Sequence, residues 1–336
     1  MSWSVETADP KGDSWNQLLG QTNHLLFHEP VWSDVIHDGV SSRTTAIIFK
    51  QNGQIMSGAS GFFLGGYGIK LAYFNYPYGG IIGTPPPVDW LQKLLKQFAI
   101  ENRVCQIQMV GFPGALDYSG NEFEFANDAT HILDLTDVTP ESLWTGYRRS
   151  RRQDIRKTRE LGIEIELTTD QNEVDLVHDF YLQTMKRTGG LARYKKQLLR
   201  SIVKHLAPQA RAHMYLAKLD SKPIAGMLLV DSANMSHGLL MACSDVGLQH
   251  HPNKLMLHTA AEHCTQKGIS RLDYMPSGQN SSGVSNFKNL WGAGEVKLKH
   301  STLVTMKFRS LAWRTAFGLA KRQPLRTILS AIRSRS

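Results

Sequence analysis

The pattern of hydrophobic and polar positions outlines two similar halves. The stretch "TTAIIFKQNGQIMSGASGFFL" reads as a strand, a polar turn around Asn52-Gly53 and a second strand. The stretch "AHMYLAKLDSKPIAGMLLVD" repeats that hairpin around Asp220-Ser221. Lys50 and Gly58 of the first match Lys218 and Gly226 of the second, both at an offset of 168. A further β-like segment follows each hairpin, "KLAYFNYPYGGII" in one half and "SHGLLMACSD" in the other. Each half then continues with a helix and a short strand: "DWLQKLLKQFAIENR" before "VCQIQMV", and "NKLMLHTAAEHCTQKG" before "ISRLDYM". Trp90, Leu91, Leu94, Leu95 and Phe98 form the one-sided stripe of a helix lying on a sheet. The pattern predicts an α/β chain with mixed sheets, built as two halves related by internal duplication.

Composition changes this picture mainly through charge. The 336 residues suffice for two domains, and 41% hydrophobic with 20% charged residues fits a globular protein. The start, "MSWSVETADPKGDSWNQLL", lacks the basic and apolar regions of a signal peptide, and no 18-residue apolar run occurs. Cys105, Cys243 and Cys264 stand singly in apolar segments, as buried thiols of a reducing cytoplasm do. The net charge is +9, and residues 301–336 carry eight Lys or Arg and no acid. Removing these eight from the 38 basic residues leaves 30 against 29 acids. Apolar residues such as Trp313, Phe317 and Ile328 are interleaved with that basic tail. Residues 306–336 read either as a segment lying on an anionic membrane surface or as a helix packed on the body with a solvated charged face. A second basic cluster, "GYRRSRRQDIRKTRELG", predicts a helix over 147–159 ending at Gly162. It is either a solvated linker or a site where Arg148 and Arg152 contact phosphates of a nucleotide, lipid or RNA.

The segment "THILDLTDVTPESLWTGYRRSRRQDIRKTRELGIEIEL" resembles the Fem-type (FemABX-like) aminoacyltransferases and the broader GNAT-like acetyltransferase superfamily. "FYLQTMKRTGGLARYKKQLLRSI" is similar to the family segment in which a helix ends with T-x-x-R and runs into an aromatic turn, and "NFKNLWG" to its C-terminal FK signature. The resemblance spans about residues 25–300 and implies two tandem GNAT-like domains. The expected division is 1–140, then 141–300 with the basic helix and active site, then the tail 301–336. It further implies that an aminoacyl or acyl group passes to an amine of a cell-wall peptidoglycan or polysaccharide precursor, lipid-linked or nucleotide-linked. No cofactor would be bound, the donor being aminoacyl-tRNA or acyl-CoA, and the enzyme would act in the cytoplasm, at or near the membrane. In this alignment Lys288 matches the lysine that stabilises the developing oxyanion, Phe287 its neighbour, and Arg187 the arginine of the donor or acceptor site. Members using nucleotide-linked muropeptide carry basic residues where this chain has Asp34 and, before its Gly-Gly turn, Tyr76 and Tyr78.

The chemistry accords with these assignments. Amine attack on an ester or thioester needs positioning and a cation for the oxyanion, and no strong nucleophile. A lysine between Phe287 and the Trp291 turn is placed to be desolvated, although a surface lysine gives the same local sequence. Tyr181, Tyr194 and Tyr78 are candidates to line the substrate site or simply to pack. Asp273, at a strand end in "LDYMPSG", is a candidate base or orienting residue, or an ordinary turn aspartate. Trp32 reads as core. Acyl-CoA enzymes of this class cradle pyrophosphate on a Gly-rich loop at a helix start. Here the corresponding "DVGLQHHPNKLMLHTA" has no glycine after Gly247, which argues against ordinary CoA binding. His237, His250, His251, His258 and His263 fit no metal-ligand spacing, and no metal site is expected. The alternatives are a CoA-dependent N-acetyltransferase of exopolysaccharide or amino-sugar metabolism and a non-catalytic module that binds membrane or RNA.

Overall fold

The computed structural model describes residues 2–66, 69–74, 76–113, 123–190, 192–276, 282–311 and 315. In chain order the elements are β1 (Trp3–Ala8), α1 (Asp13–Gln21), α2 (Pro30–Val40), β2 (Thr44–Gln51), β3 (Gln54–Gly66), β4 (Ile69–Phe74), β5 (Ile82–Gly83), α3 (Val88–Glu101) and β6 (Gln106–Val110). Next come β7 (Phe123–Asp134), α4 (Pro140–Gly146), α5 (Arg149–Glu160), β8 (Glu164–Thr168), α6 (Gln171–Thr188), α7 (Lys196–Leu206), β9 (Ala212–Leu219) and β10 (Lys222–Asp231). The last are β11 (Met235–Cys243), α8 (Asp245–His250), α9 (Asn253–Gln266), β12 (Arg271–Asp273), α10 (Ser282–Leu290) and β13 (Gly294–Val304). Most of the tail 301–336, including Trp313, Phe317 and Ile328, lies outside the described residues.

The chain forms two compact units that are not consecutive stretches. Unit 1 is drawn from Met1–Ser33, Ser42–Asn127 and Lys299–Ser336, and unit 2 from Asp34–Ser41 and Asp128–Leu298. In unit 1 the strands run β1-β2-β3-β4-β6-β13, with β5 on β3. In unit 2 they run β7-β12-β11-β10-β9-β8. Each sheet has one parallel pair, β4 with β6 and β11 with β12, among antiparallel neighbours. The final strand of each sheet pairs antiparallel, β13 with β6 and β7 with β12. By contact the chain passes from unit 1 to unit 2 after Asn127 and returns at Lys299, a return that short-range periodicity cannot register.

The duplicated hairpins repeat in register. Gly58 opposes Ile48 on β2, and Gly226 opposes Leu216 on β9, both pairs at the offset of 168. Asn52 and Gly53 hold φ of 48° and 84°, Asp220 and Ser221 of 49° and 62°, the doubly left-handed turn that suits hairpin twist. The two glycines make room for helices on the sheet. A Cβ on Gly58 would meet the Ile47 carbonyl oxygen at 2.4 Å and the Trp15 and Leu18 side chains of α1 at 2.9 Å, and one on Gly226 would meet Val177 of α6 at 2.2 Å.

The cores follow from the apolar faces. Leu91, Leu94, Leu95 and Phe98 of α3 are buried with Ile47, Phe49, Phe74 and Met109 in unit 1. Trp90 departs from the expected stripe: it is exposed, with Lys93 over its ring. Trp32 is buried, its indole N–H donating to the Tyr76 carbonyl at 2.8 Å. The three cysteines are buried and free. In unit 2, α9 supplies Leu255, Met256, Leu257, Ala260 and Ala261 to a core with β10 and α5. Residues 34–41 also join this unit. Ser201 Oγ of α7 donates to Val35 O at 2.9 Å, and Lys204 and His205 meet Asp38 at 2.8 Å.

Candidate functional site

In unit 2 a column of buried polar groups runs across β11, β12 and β7. The register pairs His237 with Asp273, and Asp273 with Ile132, so the polar side chains of three strands meet. Asp273 and His237 are fully buried. The Asp273 carboxylate accepts from the Met275 N–H at 2.8 Å and from the Thr130 hydroxyl at 2.5 Å, and lies 3.1 Å from His237 Nδ1. His237 Nε2 is 3.1 Å from Ser232 Oγ.

Beside this column stands Lys288 on α10. It is 9% exposed, and its ammonium donates to the Met275 carbonyl at 2.6 Å. Met275 holds φ of +60°, a left-handed conformation that costs a non-glycine residue energy. That turn gives its N–H to Asp273 and its carbonyl to Lys288. Burial pushes the Lys288 pKa down to about 8, with Asp273 and Asp128 opposing the shift. The helix closes just beyond it: Trp291 N–H donates to the Lys288 carbonyl at 2.9 Å, and Gly292 takes φ of +85°.

Two buried polar side chains of this part of unit 2 lack hydrogen bonds among the described residues, one near Lys288 and one on the opposite face of β12. His131 is buried, and neither of its ring nitrogens has a hydrogen bond among the described residues. Burial, and then the charge of Lys288, lower its pKa. The Tyr274 hydroxyl is in the same condition on the α9 side of the sheet, with Tyr147, Cys264 and Arg151 around it.

An aromatic and cationic cluster adjoins the column. Tyr147 packs edge-on against Trp291 at 5.8 Å, and Phe287 lies 6.3 Å from the same indole. The Arg151 guanidinium sits 4.7 Å over Trp291 and 5.2 Å over Tyr147, and it interacts electrostatically with Tyr274. Arg151 shares a helix face with buried Ile155 and Thr158, which is why it points inward.

The basic helix thus brings Arg151 to this cluster, while the two arginines expected to contact phosphates lie elsewhere on it. Arg152 turns back to donate to the Thr145 and Tyr147 carbonyls at 2.9 and 2.5 Å, closing the end of α4. Arg148 stands exposed just before α5.

The remaining candidates fall into separate settings. Arg187 contacts Asp245 at 3.1 Å and Thr184 at 3.3 Å, beside Cys243 at the end of β11. Tyr181 accepts from the Arg193 N–H at 2.7 Å, and its ring lies 6.0 Å from that of Tyr194. Burial first, then Tyr181 and Asp273, push the Tyr194 phenol up to about 12, so Tyr194 borders the polar column. Tyr78 lies in unit 1, 2% exposed and packed edge-on against Phe27 at 5.9 Å. Thus Lys288, Phe287, Asp273, Tyr194 and Tyr181 share one region of unit 2, with Arg187 at a strand end. His131, His237, Thr130 and Arg151 join them without having been singled out for this role. Their one sequence signal is polar residues set inside apolar strand or helix faces.

Among the described residues, one His/Cys/Asp/Glu group has ligand atoms converging as a metal would require: His213, Asp231 and His263. It is distinct from the column, because adjacent Ser236 and His237 point to opposite faces of β11 and Asp231 pairs with Ser236. No helix among the described residues is long and apolar enough to cross a membrane.

Comparisons with known proteins bear on this geometry. The family described as Acetyltransferase (GNAT) domain matches residues 145–289, which include α5, the Arg187 region and Lys288. No curated protein matches the sequence. Among solved structures, FemX superposes with a TM-score of 0.64 at 14% identity, covering 94% of this chain and 100% of that one. A tandem GNAT protein from the clavulanic acid biosynthesis pathway gives 0.60 at 9% identity, covering 90% and 99%. L-PGS from Bacillus licheniformis gives 0.55 at 12% identity, covering 93% and 98%. Residues 145–289 thus match a GNAT domain, and the chain as a whole shares the fold of FemX and of the tandem GNAT protein.

Proposed function

We propose that this chain is an N-acyltransferase that moves an aminoacyl group onto an amine of a cell-envelope or polysaccharide precursor, with Lys288 as the electrostatic catalyst. The observation that carries the reading is the buried Lys288 ammonium, its pKa lowered to about 8, beside the buried Asp273 and His131. In attack by an amine on an ester carbonyl, the C–N bond forms as the carbonyl oxygen gains negative charge. Collapse of that intermediate expels the donor's alkoxide or thiolate, and the amine proton leaves to a base or solvent. Lys288 lowers the energy of the charged intermediate, and its burial strengthens that interaction. His131, neutral through burial, is placed to accept or relay the proton. Arg151 with Trp291 and Tyr147 offers a flat, positively charged platform for a donor or acceptor group.

Aminoacyl-tRNA is the donor we favour. Gly247, inside α8 after β11, is taken up by packing: a Cβ there would meet the Ile224 carbonyl oxygen at 2.4 Å. The first turn of α8 also carries Asp245, whose carboxylate occupies the Arg187 guanidinium that a pyrophosphate would otherwise meet. Acyl-CoA is the second reading, favoured by the tandem GNAT neighbour whose description refers to AcCoA. Attachment of the tail 306–336 to an anionic membrane surface belongs to the same proposal.

The test is a transfer assay with purified protein, a lipid-precursor extract, and labelled aminoacyl-tRNA or labelled acetyl-CoA. Labelling that RNase abolishes supports the tRNA donor. Labelling from acetyl-CoA alone replaces it with the acyl-CoA class, and labelling from neither donor removes the enzymatic reading.

A further inference from the structure

On the face of the unit 2 sheet opposite the catalytic column, two imidazoles turn toward one carboxylate oxygen. His213 Nε2, near the start of β9, lies 3.0 Å from Asp231 Oδ2, at the end of β10. His263 Nε2, in the last turn of α9, lies 3.1 Å from the same oxygen. The two rings are 4.2 Å apart between centroids. All three side chains are nearly buried. Lys267, just beyond α9 and 37% exposed, closes the outer side. Its ammonium is 3.1 Å from Asp231 Oδ2, 3.2 Å from His213 Nε2 and 2.8 Å from the Ala210 carbonyl.

The contacts around His213 Nε2 conflict. To face a carboxylate oxygen it must carry a proton, and to accept from an ammonium it must present a lone pair. One nitrogen cannot do both. A metal ion removes the conflict, because it takes a lone pair from each imidazole and one from the carboxylate. Tetrahedral zinc with bonds of about 2.0–2.1 Å sets its ligand atoms roughly 3.3 Å apart. The two His213 and His263 separations from Asp231 Oδ2 lie close to that, and all three ligand atoms fall within 4.8 Å of one another. A supporting layer is present as well. The Tyr215 hydroxyl is 3.0 Å from His263 Nδ1, which fixes that ring, and Ser236 donates to the second oxygen of Asp231. Burial disfavours the Asp231 charge, but hydrogen bonds from His213, His263 and Ser236 outweigh this and hold its pKa well below the usual carboxylate range.

We propose that His213, Asp231 and His263 form a site for a divalent transition metal of the zinc class, entered by displacement of the Lys267 ammonium. Two imidazoles and one carboxylate suit zinc better than magnesium or calcium, which prefer oxygen ligands. Water completes the coordination on the outer side that Lys267 vacates. The ion would tie β9 and β10 to α9, the helix whose chain leads into β12 and Asp273. This site is independent of the acyl-transfer reading, and neither stands or falls with the other.

The test uses untagged full-length protein, equilibrated with zinc or cobalt(II), dialysed, and measured for bound metal. Wild type is expected to retain about one zinc per chain, and its cobalt form to show the visible bands of a four-coordinate N,N,O site. Lys267→Met keeps all three ligands and removes the competing cation, so it should bind at least tenfold more tightly. Asp231→Asn should lose the metal. Absence of metal from both wild type and Lys267→Met, or zinc retained undiminished by a folded His213→Gln/His263→Gln variant, would overturn the proposal.

Discussion

Unit 1 and unit 2 share a backbone plan down to the register of single residues, yet only one of them carries the ionisable column. Phe62 and Val230 correspond at the offset of 168; Phe62 pairs with Tyr73 and Val230 with His237. Across the parallel pair, Tyr73 meets Gln108 where His237 meets Asp273. The position that holds a buried imidazole and carboxylate in unit 2 thus holds a phenol and an amide in unit 1. Burial raises the Tyr73 pKa, which keeps that phenol neutral. Scaffold and chemistry are therefore separable: the same strand pairing supports a neutral core in one copy and a charged site in the other.

The sharpest way to break the comparison is at Lys288. Lys288→Met should lower the transfer rate by about 10²- to 10³-fold, whereas Tyr73→Phe in unit 1 should leave it unchanged, both read from initial rates of label transfer. The pH profile adds a second reading. A lysine acting as a cation loses its function as pH rises through about 8, so the rate should fall above that point. A rate that rises through the same pH would recast Lys288 as a base. Stability has the opposite dependence. The folded protein sheds this proton near pH 8 and the unfolded chain only near 10.5, so the unfolded state binds more protons between those values and stability should increase with pH across the window. Denaturation midpoints of the wild type should show that rise, and those of Lys288→Met should not.

The next effect is one of stability. Asp273→Ala removes the common acceptor of the Thr130 hydroxyl and the Met275 N–H and leaves His237 Nδ1 facing an apolar gap. Each stranded buried group costs about 1–3 kcal/mol, so unfolding by urea should show a loss above about 3 kcal/mol. Gln108→Ala at the matching place in unit 1 should cost less than about 1 kcal/mol, because that side chain is only half-buried.

Much of this arrangement was legible in the sequence, and the exceptions have physical causes. The hairpins and their offset follow from alternation and turn residues, which are local. The basic helix ends where Gly162 takes a left-handed φ of 78°. Lys288 was singled out by resemblance to the Fem-type family, and its burial depends on how α10 lies on the Met275 turn, a tertiary fact. That Arg151 is the inward residue of the basic helix follows from its phase with Ile155 and Thr158, which the density of basic residues there conceals. Trp90 was counted as core although its helix had already filled the buried stripe with Leu91, Leu94, Leu95 and Phe98. His213, Asp231 and His263 come from two strands and a helix, so no short-range ligand spacing could announce them.

Smaller effects test whether the duplicated glycines are equivalent. Gly58→Ala and Gly226→Ala should each destabilise by about 1–3 kcal/mol through overpacking. Gly58 should lie at the upper end, because its closest obstacle is a backbone oxygen at 2.4 Å. The obstacle at Gly226 is the Val177 side chain, which has a rotamer to change. Gly226→Ala combined with Val177→Ala should therefore recover part of the loss in thermal unfolding. Gly58→Ala combined with Leu18→Ala should not, since the Ile47 carbonyl remains.

The smallest effect concerns the paired lysines. Lys50 meets Glu6 of β1, and Lys218 meets Glu166 of β8 at 2.6 Å, so the cross-strand ion pair is itself duplicated. Lys218 also reaches Glu173 at 3.3 Å, in the first turn of α6. One ammonium thus joins strand and helix in unit 2. Lys218→Met should lower the thermal midpoint more than Lys50→Met, and high salt should bring the two variants together because exposed ion pairs are screened. If the difference persists in salt, packing of the Lys218 stem is responsible. In that case Lys218→Arg would restore stability only as far as its longer stem covers the same apolar surface.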